Sequence, residues 1–546
     1  MSDRSPYYIT TPIYYVNDRP HVGSCYTTLL ADCAARFMRA DGREVFFLTG
    51  TDEHGQKVEK SAAARGLSAQ ALADENAAHF REAFAFLGCS FDRFIRTTDA
   101  DHERQVQEAV RRLVASGDVY LGTFEGWYDE GQEEYVTENQ ARDRGYKAFN
   151  GQPLIKAKEN NFYFRLSAFQ AKLEKLFEER PGFVRPEARR NEVLGRLRAG
   201  LQDVPVSRTS FTWGVPFPQD VAGSKDHVVY VWVDALFNYI TALGLLEPGG
   251  GGGGAGAAAR FWPAGVHAIG KEILWFHAVI WPALLMALGM PLPRCVYAHS
   301  FWIRDGKKMS KSLGNFIDLE TIKAYCDAPP GGFGIDAWRW FQLTQGPIEA
   351  TDADFSHGKF VEVYNADLAN GIGNAASRVL NMIEKYFGGA TPDPGGVTAH
   401  AGHDWPSITS SAVASVRAGM ERFDLGAALS QAMDLSRRVD GYIVATEPFR
   451  AAKDPARLGE VGVVLYHCAE ALRIAATLLS CAMPQKMAEV LRRFGQEPAD
   501  GSGRFARPLA ELTAWGGLKP GTRVTKGEGL FPRWDPAAAA PGSAGS

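Results

Sequence analysis

Two short stretches of the chain carry residue types that suit phosphate binding. His21 and Gly23 stand in "PHVGSCYTT", just before a helical pattern, and the N-terminus of a helix offers unpaired N–H groups to an anion. Lys308 and Lys311 stand in "DGKKMSKSLGN" (305–315). Each stretch alone has an ordinary explanation, since a histidine at a helix start often serves as a cap and a run of lysines is usually a solvated loop. Their occurrence together is a far more specific signal.

Alternating short apolar runs and helical patterns surround these stretches. An apolar run at "YYIT" is followed by a helical pattern and then by "EVFFL" (44–48). The same rhythm returns at "VVYVW" (228–232), "VHAIG" (266–270) and "CVYAH" (295–299). Such alternation predicts an α/β fold, in which a Rossmann-like, doubly wound parallel sheet is split into two halves and covered by helices on both faces.

Polar and aromatic residues follow several of these predicted strands. Asp52 follows the second strand, Trp232 and Asp234 follow "VVYV", and Gly270 follows "VHAI". Ligands of an open parallel sheet bind beyond the carboxyl ends of its strands, where the two halves meet. We therefore expect these residues to share one cleft with His21.

The pattern changes at several points, and these changes define the predicted domains. The segment after the first half is rich in Glu, Asn, Gln, Arg and Tyr, does not repeat the sheet pattern and is predicted to be an inserted domain. Helical patterns with breakers between them fill the region after the second half. The predicted boundaries are 1–117 for the first half, 118–222 for the insert, 223–300 for the second half, 301–356 for a linker bearing the lysine loop, 357–500 for a helical bundle, and 501–546 for an extended strap with a disordered tip.

The composition is that of an ordinary globular protein. An apolar content of 45%, a charged content of 22% and a net charge of -4 exclude a disordered polyelectrolyte and give no global sign of a nucleic-acid partner. Seven scattered cysteines without a C-x-x-C pair favour reduced thiols in the cytosol. The N-terminus has no export signal, and the apolar run from 278 is short and interrupted by proline, which favours a buried helix over a membrane span.

The low-complexity run "PGGGGGGAGAAA" (248–259), with its glycine-rich part at 249–256, could suggest a phosphate loop. It lacks the Lys-Ser/Thr pair and the strand-loop-helix frame of such a loop. A surface insertion is therefore the better interpretation.

"HVGS" and "KMSKS" together form the two-part signature of class I aminoacyl-tRNA synthetases. Over nearly its whole length the chain resembles the methionyl-tRNA synthetase family, in "ITTPIYYVNDRPHVGS", "LTGTDEHGQKV", "EGWY", "YVWVDALFNYITALG", "AIGKEILWFHAVIWPA", "KKMSKSLGN", "LANGIGNAASRVLNM" and "LFPR". This resemblance implies a methionine–tRNA ligase that uses ATP with Mg²⁺ to convert L-methionine into methionyl-adenylate, releases pyrophosphate, and transfers methionine to the 3′ end of tRNA(Met).

The resemblance also implies roles for individual residues. Asp52 would supply the anion for the ammonium group of methionine, and a thioether suits an aromatic-lined pocket. Gly23 would let the nucleotide approach the backbone. The ordinary alternative for Trp232 and Tyr239 is a place in the core. The implied sets are His21, Ser24, Lys308 and Lys311 for catalysis; Asn17, Gly23, Gly270, Glu272 and Ser310 for ATP; and Ile13, Tyr15, Asp52, Trp232, Ala235, Tyr239, Ile273 and His277 for methionine.

In the helical region, the resemblance implies an anticodon-binding site. Asn374 and Arg378 are four residues apart and therefore share one helix face. Proteins read the unpaired bases of RNA loops by hydrogen bonding and stacking. Where the family commonly stacks a tryptophan on a base, this chain has Phe449, whose smaller ring predicts weaker recognition.

The insert departs from relatives that bind zinc through cysteine knuckles. Asp129 and Gln132 occupy the positions after "EGWY", and the chain has no cysteine between 90 and 294. We expect no protein-bound zinc, so that local hydrogen bonds and salt bridges hold the insert. The chain also stops before any appended dimer-forming domain, and the prediction is a cytosolic monomer without a membrane partner.

Three alternatives compete with this interpretation. Sister synthetases for isoleucine, valine and leucine carry a much larger hydrolytic insert, and the cysteine enzyme needs thiolate-bound zinc. This sequence shows neither feature. A small adenylyltransferase shares the histidine-bearing turn but leaves the helical region without a purpose. An RNA-binding paralogue with a dead site is disfavoured because His21, Lys308 and Lys311 are intact.

Overall fold

The structure is a computed structural model. It describes residues 5–17, 19–129, 134–136, 138–148, 151–247, 257–304, 306–309, 315–327, 333–535 and 540. The glycine-rich run at 249–256, Gln132, Ser310, Lys311 and, apart from Ala540, the predicted disordered tip at 536–546 lie outside the described residues.

The first half alternates strands and helices as its sequence pattern predicts. Its elements are β1 (Tyr7–Tyr15), α1 (Val22–Ala40), β2 (Val45–Asp52), α2 (Gln56–Ala64), α3 (Ala69–Phe86), β3 (Arg93–Arg96) and α4 (Ala100–Ala115). The register between β1 and β2 shifts between Thr10 and Ile13, beside Pro12, which cannot donate a backbone hydrogen bond to the ladder. After this irregularity, Ile13 and Tyr15 line the cavity described below.

The insert has its own small antiparallel sheet. Its elements are β4 (Val119–Asp129), β5 (Glu134–Val136), α5 (Glu138–Asp143), β6 (Ile155–Phe164), α6 (Gln170–Glu179), β7 (Val184–Arg185), α7 (Glu187–Leu197), β8 (Val204–Pro205) and β9 (Ser207–Arg208). The strand order is β5-β4-β6-β8. Local hydrogen bonds hold the start of α5 against β4 and against the turn after α5. The indole N–H of Trp127 and the hydroxyl of Tyr146 donate to Glu138 over 2.6 and 2.9 Å.

The second half consists of β10 (Val228–Val229), α8 (Val231–Thr241), β11 (Val266–Gly270), α9 (Trp281–Ala287) and β12 (Val296–His299). The prediction of a core strand over 228–232 is wrong. Only Val228–Val229 is extended, it pairs antiparallel with β9, and helix α8 begins at Val231. A short apolar run fits a buried strand and a buried helix equally well, so periodicity could not separate them.

The central sheet has six parallel strands in the order β3-β2-β1-β11-β12-β7. The two halves therefore meet between β1 and β11. The pairs Tyr15 with Asp52 and Gly270 with His299 are in register and lie at the carboxyl ends of their strands. One strand of the insert, β7, joins the edge of this sheet beside β12, and with two residues it is too short to show a pattern in the sequence.

The linker and the helical region follow. The linker contains β13 (Trp302–Arg304), β14 (Lys307–Lys308), α10 (Leu319–Asp327), α11 (Ile335–Gln345) and β15 (Ala353–Phe355). The remaining elements are α12 (His357–Val363), α13 (Asn374–Phe387), β16 (Ala399–His400), β17 (His403–Asp404), α14 (Trp405–Glu421), α15 (Leu425–Thr446), α16 (Pro448–Ala451), α17 (Leu458–Leu479), α18 (Pro484–Arg493) and α19 (Leu509–Leu512).

Buried contacts join the α/β region to the helical region. Arg339 on α11 is fully buried, and its guanidinium donates to Asp32 on α1 over 2.7 Å and to the carbonyl of Ala482 over 2.8 Å. After α19 the chain continues as the predicted strap, with Leu530 and Trp534 buried. Among the described residues, Pro455–Leu479 is the one helix long and apolar enough to cross a membrane, and 94% of its apolar window is buried in the protein. It is therefore the core helix of the bundle. The parallel sheet covered by helices, followed by a helical region, confirms the predicted fold class.

Candidate active site

A cavity of about 610 Å³ lies at the carboxyl ends of β1, β2, β11 and β12, where the two halves of the sheet meet. It brings together all predicted catalytic, ATP-binding and methionine-binding residues that the structure describes. These are Ile13, Tyr15, Asn17, His21, Gly23, Ser24, Asp52, Trp232, Ala235, Tyr239, Gly270, Glu272, Ile273, His277 and Lys308. Ser310 and Lys311 belong to the same lysine loop but lie outside the described residues.

His21 is at once the cap of helix α1 and part of the cavity wall. Its ring Nδ1 accepts a hydrogen bond from the backbone N–H of Gly23 over 3.0 Å. The backbone N–H of His21 donates to the hydroxyl of Ser24 over 3.1 Å. Because Nδ1 is an acceptor, the proton of the neutral ring is on Nε2. The ordinary explanation and the functional one therefore hold together, since the cap fixes which nitrogen can donate to a ligand.

Gly23 has a steric role that the sequence alone does not reveal. A Cβ atom at this position would lie 2.8 Å from Cε1 of His21 and 3.1 Å from its Nδ1. The glycine therefore makes room for the imidazole itself. A larger residue would push the ring out of its capping position.

The lysine hairpin of the linker contributes to the same cavity wall. Lys308, on the β13–β14 hairpin, is exposed, and its Nζ lies 5.6 Å from the ring centroid of Phe301. Where the chain returns from the loop, the N–H of Val22 donates to the carbonyl of Ile317 over 2.9 Å. The ring centroids of Phe316 and His21 are 5.1 Å apart. The stretch around His21 is thus in direct contact with the residues that immediately follow the lysine stretch.

Glu272 follows β11 and turns its carboxylate back over the strand end. A Cβ on Gly270 would crowd that carboxylate, so a larger residue there would require the side chain of Glu272 to move. The cavity walls desolvate the carboxylate and raise the pKa of Glu272, although water reaches it through the open cleft; its own backbone N–H, Lys308 and Lys271 work against this rise.

Aromatic side chains form the inner part of the cavity. The rings of Trp232 and Phe276 stack face to face, with centroids 4.0 Å apart and planes at 13°. Nδ1–H of His277 donates to the carbonyl of Ile273 over 3.0 Å, which leaves Nε2 to accept from the hydroxyl of Tyr239 over 2.7 Å. Burial lowers the pKa of His277 to about 4, so the ring is neutral. Asp52, almost fully buried, brings a carboxylate to this uncharged pocket.

Sequence reasoning missed several residues of the cavity wall. Lys57, in the first turn of α2, lies with its Nζ 5.7 Å from the ring centroid of Tyr15. His299 is the last residue of β12, and burial lowers its pKa to about 4. The strand-end rule that found Gly270 could have found His299. Phe276 and Phe316 lie on segments whose patterns carry no such signal.

The described residues contain no group of three or more His, Cys, Asp and Glu side chains that could hold a metal ion. Asp52 and Glu272 are the carboxylates among the cavity-lining residues. Among the described residues of the cavity wall, the groups suited to contact a phosphate are N–H donors and lysines.

The predicted anticodon residues lie at one end of the helical region. Asn374 is the first residue of α13 and is exposed. One turn later, Arg378 donates from Nη1 to Asp440 on α15 over 2.9 Å. Helix α15 ends at Thr446, about 9 Å further along its axis. Phe449 follows on α16 with 42% of its surface exposed.

An exposed apolar residue near this end was not predicted. Val444, one turn after Asp440 on α15, exposes 66% of its surface. The strongly helical pattern of α15 gave no reason to single out one valine.

Comparisons with known proteins agree with this geometry. The model of a family described as tRNA synthetases class I (M) matches residues 7–145 and 146–380. A methionine–tRNA ligase of Caldanaerobacter subterraneus subsp. tengcongensis is 42% identical over 97% of this chain and 79% of its own length. One of Rhizobium meliloti is 41% identical over 98% and 99%. The solved Mycobacterium tuberculosis methionyl-tRNA synthetase in complex with methionyl-adenylate superposes with a TM-score of 0.87 at 38% identity, covering 97% of this chain and 100% of that one.

Proposed function

The chain belongs to the methionyl-tRNA synthetases of class I, and we propose that the cavity is where it activates L-methionine with ATP before transferring the methionyl group to the 3′ end of tRNA(Met). One observation carries the assignment of the cavity: His21 of the first half and Lys308 of the linker line the same space with a neutral aromatic pocket and a buried carboxylate. The family excludes the sister synthetases and the small adenylyltransferases considered from the sequence.

In this proposal, the inner part of the cavity binds methionine. Asp52 accepts hydrogen bonds from the ammonium group, and its burial makes that interaction strong because little water competes. The stacked ring of Trp232 and the neutral pair of Tyr239 and His277 surround the thioether. Ile13, Tyr15, Ala235 and Ile273 complete this wall.

The outer part binds ATP. Nε2–H of His21 donates to the phosphate oxygens, and Ser24 fixes His21 in place through the capping hydrogen bonds. Gly270 and Glu272 meet the adenosine, with Asn17 at the rim. Glu272 would accept hydrogen bonds from ribose hydroxyls as a carboxylate, supported by the positive charges of Lys308 and Lys271.

The reaction needs positioning and charge stabilisation more than covalent help from the protein. The carboxylate of methionine attacks the α-phosphorus, the bond to the bridging oxygen breaks, and pyrophosphate leaves with the electron pair. Lys308 and Lys311 neutralise the developing negative charge, and the hydroxyl of Ser310 donates a hydrogen bond to the phosphates. Magnesium bound with ATP would supply further positive charge at the phosphates, which are themselves good ligands for it.

The helical region binds the tRNA. Asn374 and Arg378 hydrogen-bond to anticodon bases, and Phe449 stacks on one of them. Asp440 holds the guanidinium of Arg378 in place until RNA binds. We further propose that the insert functions without zinc and that the protein acts as a cytosolic monomer.

The test is exchange of labelled pyrophosphate into ATP with each amino acid in turn. We expect exchange with methionine alone, since the neutral pocket and the buried Asp52 fit an uncharged side chain and an ammonium group. Gly23→Ala should reduce this exchange strongly while the protein stays folded, because the added methyl displaces the His21 ring. Equal exchange with leucine would refute the substrate assignment.

A further inference from the structure

A buried hydrogen-bonded network of two histidines and one aspartate lies behind the cavity. The carboxylate of Asp234 is fully buried and accepts hydrogen bonds on both oxygens. Nδ1–H of His54 donates to Oδ2 over 2.7 Å, and Nε2–H of His102 donates to Oδ1 over 2.8 Å. The three residues are all described, and none of them lines the cavity, so the expectation that Asp234 shares the cleft with His21 is wrong. The proposed function therefore leaves the network without a role.

The charges of the network follow from its neighbours. Nδ1 of His102 lies 2.7 Å from the hydroxyl of Thr241. Burial disfavours the charged form of His54, but Asp234, Glu103 and Glu53 outweigh burial and raise its pKa. Burial likewise disfavours the charged carboxylate, yet His54 and His102 lower the pKa of Asp234. The network is thus an ion pair of His54 and Asp234 to which His102 is hydrogen-bonded.

The network joins two walls of the amino-acid pocket. His54 stands two residues after Asp52, at the end of β2. Asp234 lies in the first turn of α8, between Trp232 and Ala235. The central sheet does not fix the distance between the end of β2 and the first turn of α8. The reason is that β10, which leads into α8, pairs with β9 outside that sheet.

The segment before β10 supports the same junction. The indole N–H of Trp213 donates to the carbonyl of Glu53 over 2.6 Å, and the N–H of Gly55 donates to the carbonyl of Trp213 over 2.9 Å. The ring of His54 meets that of Trp213 edge to face, with centroids 5.4 Å apart. His54 is therefore held by its hydrogen bond to Asp234 and by the ring of Trp213.

We propose that His54, Asp234 and His102 are positioning residues that set the width of the methionine pocket, by fixing the end of β2, which carries Asp52, against the first turn of α8, which carries Trp232 and Ala235. This proposal rests on the assignment of the cavity to methionine. A buried ion pair is a weak source of stability compared with apolar packing. Directional hydrogen bonds do, however, fix distances closely, and misplacement of a bound substrate by about 1 Å can cost roughly a hundredfold in rate.

The first test is Asp234→Asn, which keeps the shape but places an amide N–H₂ against one histidine N–H. We expect the KM for methionine in the exchange reaction to rise about tenfold or more, while the KM for ATP changes less than twofold. Trp232 and Asp52 belong to the methionine side of the cavity, so the two constants should separate. A purely structural role would lower the melting temperature and the amount of active enzyme without separating them.

Rescue by a conservative variant makes the test sharper. His102→Gln places an amide donor where Nε2–H stood, whereas His102→Ala leaves that oxygen of Asp234 without its donor. The alanine variant should raise the KM for methionine, and the glutamine variant should restore most of it. His79→Ala is the matched control, because His79 is a partly exposed histidine on α3 with ion pairs to Glu75 and Glu82.

The charge of His54 gives a pH signature. Asp234 on α8, Glu103 on α4 and Glu53 beside it are the charged groups that face it, with Trp213 against its ring. Because the pKa of His54 is raised in the folded protein, its charge is present below that pKa and lost as the pH rises through it. We expect the KM for methionine of the wild type to rise at alkaline pH more than that of His54→Asn, which keeps a donor that does not titrate.

The outcomes separate the two proposals. Equal changes in both KM values for Asp234→Asn, or no difference between His102→Gln and His102→Ala, would overturn the positioning role while methionine-dependent exchange by the wild type leaves the proposed function standing. A wild type without methionine-dependent exchange would overturn both. Separate KM values, rescue by glutamine and a pH profile that flattens in His54→Asn support the network.

Discussion

The cavity of the α/β region and the exposed end of the helical region present their side chains in opposite ways. In the cavity, the side chains are held by protein hydrogen bonds: His21 is fixed by its cap, and His277 bridges Ile273 and Tyr239. At the helical end, Asn374 and Phe449 are exposed, and Arg378 is held through one flexible side chain to Asp440.

This difference fits the tasks proposed for the two regions, which are methionine activation in the cavity and binding of unpaired tRNA bases at the helical end. Chemistry at phosphorus requires groups held within about 0.5 Å of a productive geometry, which neighbouring side chains must enforce. Unpaired bases of an RNA loop can be splayed and stacked as they bind, so exposed side chains that adjust are sufficient. We therefore expect changes in the cavity to impair both steps of the reaction, and changes at the helical end to impair only the step that needs tRNA.

The largest effect is expected for Lys308→Ala. Removing one charge that stabilises the leaving pyrophosphate should lower kcat for methionine-dependent exchange by roughly 10² to 10³-fold. The melting temperature should not change, because the side chain is exposed. Lys311→Ala is expected to act in the same direction. Lys307→Ala is the matched control: Lys307 is the neighbouring exposed lysine of the same hairpin and is not among the residues that line the cavity. A comparable loss in that control would mean that hairpin charge in general, and not Lys308, matters.

An intermediate effect is expected for Arg378→Ala. Loss of a guanidinium that hydrogen-bonds to a base costs about 1–3 kcal/mol, so kcat/KM for aminoacylation should fall about tenfold or more, mainly through the KM for tRNA. Methionine-dependent exchange, which needs no tRNA, should remain nearly unchanged. Arg111→Ala offers a comparison, since Arg111 is also a partly exposed arginine paired with an aspartate, Asp220, but lies on α4. If exchange and aminoacylation of Arg378→Ala fell together, anticodon contact would be the wrong role.

The sequence predicts the cavity better than it predicts what holds the cavity in place. Strand ends are readable because buried parallel strands are continuous apolar runs, and this rule placed Asp52 and Gly270 correctly. The same rule mistook the start of α8 for a strand at 228–232, yet Trp232 still lies in the cavity. Helix α8 and the strand ends lie at the same edge of the sheet. The predicted location of Trp232 is therefore correct, although the predicted secondary structure of its segment is wrong.

Contacts between distant parts of the chain could not be predicted. His54, His102 and Asp234 are far apart in sequence, and no periodicity relates them. Likewise, the helical period placed Asn374 and Arg378 on one face, but it could not reveal that Asp440 holds the arginine. Long-range side-chain pairs depend on how elements pack, which one sequence does not display.

The smallest effect is expected for Phe449→Trp. Phe449 already exposes 42% of its surface, so an indole fits without crowding the core and offers a larger face to a base. Stacking of a base on an aromatic ring is worth about 1–3 kcal/mol, and the gain from a larger ring is a fraction of that, so the KM for tRNA should fall about two- to fivefold. Phe449→Ala should raise the same KM by more than the tryptophan lowers it, and exchange should change in neither variant. A tryptophan variant whose KM for tRNA equals that of the alanine variant would show that no base stacks at this position.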